Sequence, residues 1–347
     1  GPVINQYVKD LKESIGEDVP LEFFTSSGGT VRPEAFTGRR ALLSGPAGGA
    51  VAVKALSEAL GIPSSVGFDM GGTSTDVCRY HRFLSMVYEK DISGIEIKTE
   101  MVDINTIASG GGSVLWFDGQ RLRVGPHSAG ADPGPACYGF GGPPTITDAN
   151  LITGRIVTEF MPETFGPDRK GPISRDASLR AIEDLCRKVS SETGRSWGPE
   201  ELALGYLQIA NEMMANAIKE MTLAKGLDVR DFVLVGFGGA AGQHACFVAE
   251  KLQMKEVILH PLAGLFSALG IALARPTLTR AITFIMPFRE EAIPAIEEAF
   301  RKEEQRASLG EDYVVIRQLG LRVKNSEGEI TVQWASYGDM LQEFVHT

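Results

Sequence analysis

The stretch that decides the fold is Phe68-Asp69-Met70-Gly71-Gly72-Thr73-Ser74-Thr75-Asp76. Before it stands Ser64-Ser65-Val66-Gly67, and after it Val77-Cys78-Arg79-Tyr80. The pattern predicts a short buried strand, a Gly-Gly turn dense in hydroxyls, and a second strand. Two glycines let the backbone approach an anion and aim its N–H groups inward. Thr73 and Ser74 add short donors beside Gly71 and Gly72. Asp69 and Asp76 would repel a phosphate alone, so the pattern makes sense with a divalent cation between carboxylates and phosphates. Asp69 is the first candidate for metal and catalysis. Asp76 either shares that role or caps the second strand. The bland alternative for the whole segment is a tight hairpin with capped ends. Neither a Walker loop nor a dinucleotide fingerprint fits, because both need a glycine loop opening a helix.

Later in the chain, Phe232-Val-Leu-Val-Gly-Phe-Gly238-Gly239 reads as a buried parallel strand ending in glycines, followed by a helix from about Ala240 and a strand over 256–260. Strand, glycines, helix and strand at this spacing form a βαβ unit. Ligands in such sheets sit beyond the carboxyl ends of the strands, where Gly238 and Gly239 lie. His244 is expected to be a hydrogen-bonded structural histidine. A third glycine cluster, Ser44-Gly-Pro-Ala-Gly-Gly49, precedes a helical run over 50–60. It is either an anion site at a helix N-terminus or a place of close packing. Residues 125–142 are rich in proline and glycine and are expected to form a long ordered loop. Asp103, His127, Asp132 and Asp148 lie beside glycine loops and could reach substrate or metal; each could equally be a loop cap.

A helix is expected over 3–18 and a strand over 21–25. A long helix over 200–225 presents Leu207, Ala210, Met214, Ala217 and Met221 on one face, ended by Gly226. The charged segment 158–200, with a helix near 174–191, reads as a surface insertion without chemistry. From Arg280 the composition shifts, with a helix over 289–309, strands over 313–323 and 329–334, and a last amphipathic helix running to Thr347. The domain reading is therefore 1–275 for one lobe and 276–347 for the truncated start of another. Gly1-Pro2 resembles the scar of a removed tag, and the chain reads as a fragment of a longer protein.

The chain has 347 residues, a net charge of −10, 43% hydrophobic and 22% charged residues. The acidic balance argues against nucleic acid and anionic membranes as partners. Four separated cysteines, with no CxxC pair, read as reduced thiols of a cytoplasmic protein, two of them buried. No apolar run has membrane length.

The hairpin resembles the phosphate-binding hairpin of the actin/Hsp70/sugar-kinase superfamily. Taken with Leu43 to Gly49, Ala108 to Ser113, Gly125 to Gly142, Thr147 to Asn150, Gly236 to Ala245 and Leu265 to Gly270, the chain resembles the hydantoinase A / 5-oxoprolinase family over about residues 20–275. Gly242-Gln243-His244-Ala245 and Phe165-Gly166-Pro167 look like the oxoprolinase branch. His127 departs from it, since relatives commonly carry glutamate there.

The resemblance implies an α/β fold: a ribonuclease-H-like ATPase lobe with a mixed sheet and flanking helices, plus the start of an α+β domain. It implies ATP and Mg2+ as cofactors, with Gly238, Gly239 and Gln243 lining the adenosine side, and a small cyclic amide as substrate. ATP would phosphorylate the lactam oxygen of 5-oxo-L-proline, and water would open the ring to L-glutamate. It also implies a second lobe and a hydrolytic domain or subunit missing from this chain, in a homo-oligomer. Alone, the chain is expected to be inactive. The other readings are an N-methylhydantoinase or acetone-carboxylase-type subunit, or a nucleotide-gated activase.

Overall fold

The computed structural model describes residues 1–16, 19–92, 94–307, 313–325 and 329–346. The chain forms two compact units. One takes Gly1–Leu223 with Asp228–Pro276, the other Ala224–Leu227 with Thr277–Thr347.

The first unit is built on a six-stranded mixed sheet. Its strands are β1 (Ser64–Met70), β2 (Thr75–His81), β3 (Phe83–Leu84), β4 (Ile104–Ile107), β5 (Val233–Phe237) and β6 (Val257–Leu259). The order runs β6-β5-β1-β2-β3, with β4 also paired to β2. β5 is parallel to β1 and to β6, whereas β2 is antiparallel to β1, β3 and β4. Three antiparallel strands continued by two parallel ones is the ribonuclease-H-like arrangement. β1 lies at its centre, which is why Ser64, Ser65, Val66, Gly67, Phe68 and Met70 are all buried. Asp69 alone in that strand is half-exposed.

Helix α1 (Ser44–Leu60) crosses one face of the sheet. Gly67 allows the approach: a Cβ there would lie 2.5 Å from Cys78 Sγ and 2.8 Å from Val53 Cγ2. The other face carries α2 (Ile146–Ile152), α3 (Arg175–Thr193) and α4 (Pro199–Leu223). All five methionine-stripe positions predicted for α4 are buried. The unit closes with α5 (Ala245–Leu252) and α6 (Phe266–Leu273), the latter packed on α1.

Several expectations need correction. The cluster over 44–49 is not a loop, because Gly45, Gly48 and Gly49 lie inside α1. Packing explains them. A Cβ on Gly48 would stand 2.6 Å from Ser267 O, one on Gly49 would stand 2.5 Å from Phe237 Cε2, and one on Gly270 would stand 1.8 Å from Gly48 O. The two helices touch backbone to backbone, so the anion reading of this cluster is dropped. Within the segment 158–200, one helix turns a single face inward. α3 buries Ser178, Ile182, Leu185, Cys186 and Val189 at 3–4 spacing. Three cysteines are buried rather than two, with Cys246 exposed. Gly125 to Ser128 belong to a bulged strand, Leu122–Ser128, paired with Ser113–Phe117. Only 129–142 is loop, with one turn of 3-10 helix at Ala136–Tyr138. The first helix is Pro2–Ile15 and the first strand is only Phe23–Phe24.

In the second unit, helix Ile293–Ala307 is followed by an antiparallel ribbon of Gln318–Leu321 with Ile330–Gln333, then by helix Tyr337–His346. Both strands are shorter than expected. The expected helical residues 17–18 and 308–309 and the terminal Thr347 lie outside the described residues. Among the described residues, no helix is long and apolar enough to cross a membrane.

Candidate functional site

The turn between β1 and β2 is closed by Gly71 N–H donating to Ser74 O at 3.1 Å. Its carbonyls are tied backwards. Gly111 N–H donates to Gly71 O at 3.0 Å and Gly112 N–H to Gly72 O at 2.6 Å. Behind that layer, Thr147 N–H and Oγ1–H both donate to Gly111 O at 2.8 Å, and Ala129 N–H to Gly112 O at 2.8 Å. Glycine is required here, because a Cβ on Gly110 would meet Thr73 C at 2.6 Å and Ser74 N at 2.7 Å. Among the described residues, the N–H groups of Gly72, Thr73 and Ser74 have no protein acceptor. Three consecutive free N–H groups on an exposed turn form a concavity suited to an anion.

Asp69 and Asp76 are directly opposed across β1 and β2. Side-chain alternation puts both on the face of Gly67, toward α1 and α6. Burial, and then the Asp76 charge, push Asp69 up to about 6, with the Ser267 hydroxyl acting against them. Burial also raises Asp76, opposed by the Thr106 hydroxyl, which donates to Oδ1 at 2.5 Å, and by Lys90. Two desolvated carboxylates of like charge are disfavoured unless a cation joins them. Mg2+ commonly takes one or two carboxylates and completes its shell with phosphate and water, so this donor set fits it. Among the described residues, no group of three or more His, Cys, Asp or Glu side chains makes an all-protein metal site.

The later glycine turn comes to the same end of the sheet, since β5 runs parallel to β1 and pairs Phe237 with Asp69. Gly238 has φ +84°, and a Cβ there would meet Asp69 Oδ1 at 2.4 Å and Met70 O at 2.6 Å. Ala240 N–H donates to Met70 O at 2.9 Å, fastening the two turns together. A Cβ on Gly239 would meet nothing within 4 Å, so its surface is open. Ser267, at the start of α6, donates to Asp69 Oδ2 at 3.4 Å. Asp69, Phe237, Gly238, Phe266 and Ser267 help to line a cavity of about 280 Å3. Gly72 and Gly239 are outside that lining.

Gln243 sits in a short 3-10 turn, Ala241–Gln243. Its Oε1 accepts from Asn150 Nδ2 at 2.8 Å, so the carboxamide oxygen is engaged inside the protein. The same Asn150 amide reaches His244 Nε2 at 2.9 Å, and His244 Nδ1 lies 2.7 Å from Asn211 Oδ1. Nε2 therefore accepts and Nδ1 carries the proton. Fully buried, His244 is pushed down to about 3, first by desolvation and then by Arg155. It is structural, as its sequence context suggested. Asn150 and Asn211 escaped sequence reasoning. Asn211 could have been found as the one amide within an apolar stripe of α4.

The four loop candidates separate. Asp148 is buried and accepts from Ala136 N, Cys137 N, Thr145 N, Thr145 Oγ1 and Ser178 Oγ within 2.7–3.1 Å. Those five donors make it the staple of α2, its capping box and the 134–138 loop, with no capacity left for a metal. His127 and Asp132 are exposed on the loop side, and Asp103 faces Lys90 at 4.0 Å.

Residues 1–280 match the family model described as Hydantoinase/oxoprolinase. The 5-oxoprolinase of Saccharomyces cerevisiae is 42% identical over 278 residues, covering 79% of this chain and 22% of that protein. Among solved structures, the ATP-dependent caprolactamase from Pseudomonas jessenii has 28% identity and a TM-score of 0.83, over 99% of this chain and 52% of that one. A nucleotide-free acetone carboxylase shares the fold, with 22% identity, a TM-score of 0.68, and coverage of 98% of this chain and 51% of that one. The chain spans just under a quarter of the length of the first curated relatives it matches.

Proposed function

We propose, from the premise that this chain belongs to the hydantoinase/oxoprolinase family, that it is the ATPase lobe of an ATP-dependent cyclic amide hydrolase. The observation that carries this reading is the hairpin tip, where three N–H groups without a protein acceptor stand beside a pair of opposed carboxylates. The backbone N–H groups of Gly72, Thr73 and Ser74 hold phosphate oxygens. Gly71 shapes the turn, and the Thr73 and Ser74 hydroxyls add donors. Asp69 and Asp76 would hold a divalent cation, Mg2+, which would supply positive charge to phosphoryl oxygens. Gly239 leaves open backbone for the adenosine side, while Gly238 makes room for Asp69 and Gln243 is held behind them.

A lactam is a poor electrophile, and its phosphorylated oxygen is a good leaving group. The lobe therefore acts by positioning and by electrostatic stabilisation, as in other phosphoryl transfers. Within the family, 5-oxo-L-proline is the substrate we favour, on the likeness to 5-oxoprolinases. Ring opening then consumes ATP and water and gives L-glutamate, ADP and phosphate. Hydrolysis of the activated ring belongs to a further domain or subunit, so this chain alone should form no glutamate.

The test is ADP release by the complete natural protein with ATP and Mg2+, comparing 5-oxo-L-proline, caprolactam, N-methylhydantoin and bicarbonate. Stimulation by 5-oxo-L-proline with glutamate formed supports the reading. ADP release indifferent to every cyclic amide would point to a nucleotide-gated module instead.

A further inference from the structure

The cavity beside Asp69 is small. At about 280 Å3 it lies just below the roughly 300–1,000 Å3 of pockets that hold drug-sized ligands. Its walls are of two kinds. Phe237, Phe266, Ala263, Leu265 and Ala268 give it hydrocarbon, and Leu265 is 65% exposed at its rim. Its two polar side chains stand together, with Ser267 Oγ and the Asp69 carboxylate 3.4 Å apart. The pair lies beside the hairpin, since Asp69 belongs to β1 and directly opposes Asp76. An apolar pouch with one polar pair, beside a phosphate cradle, matches a small ring that carries a single amide.

We infer that this cavity is the seat of the cyclic amide. The ring methylenes rest on Phe237, Leu265 and Ala268, and the lactam carbonyl points to the Ser267–Asp69 pair. There the Ser267 hydroxyl, whose present bond to Asp69 is long, turns its proton to the carbonyl oxygen. The oxygen that accepts the phosphoryl group is thus held beside the strand that leads to Gly72–Ser74. This assignment rests on the cyclic amide hydrolase reading above and adds to it the place where the substrate binds.

Two variants of the complete natural protein test it, with 5-oxo-L-proline as probe and a fluorescent ATP analogue as a separate readout. Ala268→Phe fills the pouch from its rim. It should raise KM for 5-oxo-L-proline at least about 10-fold and leave the affinity for the ATP analogue within about 2-fold. Ser267→Ala removes one hydrogen bond and should raise the same KM about 10-fold, the equivalent of about 1.4 kcal/mol. An unchanged KM in both variants overturns the inference. Loss of ATP-analogue affinity in Ala268→Phe, in step with KM, also overturns it, because the cavity would then belong to the nucleotide. Failure of the underlying reading looks different: the unmodified protein would release no additional ADP with any cyclic amide.

Discussion

Gly238 and Asp69 are fitted to each other: the glycine, at φ +84°, leaves the space that a Cβ would take 2.4 Å from the carboxylate oxygen. Gly238→Ala therefore meets two costs at once. A non-glycine residue in the left-handed region loses about 1–2 kcal/mol, and the new methyl must displace Asp69 or Met70. The variant should melt several degrees lower and bind an ATP analogue more weakly. A melting curve and a fluorescence titration check both effects.

Asp69→Asn separates chemistry from stability. Lactam-dependent ATP hydrolysis in the complete natural protein should fall by at least about 100-fold, the scale of losing one preorganised electrostatic group. The melting temperature at pH 7 should hold or rise. The sign follows from the carboxyl standing at about 6 in the fold, above its unfolded value. Its charged form is disfavoured by folding, so its removal takes away a cost. Retained activity with a sharp loss of stability would make Asp69 structural.

His244→Gln tests the buried amide network through pH. A folded value of about 3 means that the unfolded chain binds a proton at higher pH than the fold does. The stability conferred by neutral His244 is complete above about pH 6.5 and is lost as pH falls toward 3, at up to about 1.4 kcal/mol per pH unit. Asp69 acts in the opposite direction between about pH 4 and 6 in both proteins, so it cancels in the difference. The advantage of the unmodified protein over His244→Gln should therefore shrink steadily on acidification, measured by urea denaturation at a series of pH values.

Two glycines with different reasons should respond differently. Gly270→Ala forces apart backbones that touch, and should destabilise by about 3 kcal/mol or more. Gly239→Ala meets open space, so its stability should stay within about 0.5 kcal/mol while nucleotide affinity falls. Equal effects in both observables would place Gly239 with the packing glycines.

Much of this was legible in the chain itself. The hairpin over 68–76 and the βαβ unit over 233–259 carry local signals: apolar runs, glycine turns and regular spacing. The glycines over 44–49 misled because a glycine admits either a ligand or a neighbouring backbone, and only the crossing of α1 with α6 tells which. Asp148 looked like a loop candidate because its five donors come from segments 3 to 30 residues away. The pairing of Asn150 with Gln243 and His244, and of His244 with Asn211, is tertiary, and no local pattern announces it.

The hairpin tip is held from behind by two further sheets of peptide, first 110–112 and then Ala129 and Thr147, stacked like courses of brick. The groups offered to an anion are amide hydrogens, which every residue but proline possesses. Replacing Thr73 or Ser74 leaves those hydrogens in place, whereas one methyl on Gly110 would tilt the wall. The inheritance of this site is therefore written mostly in residues that have no functional group, as a record of where side chains must not be.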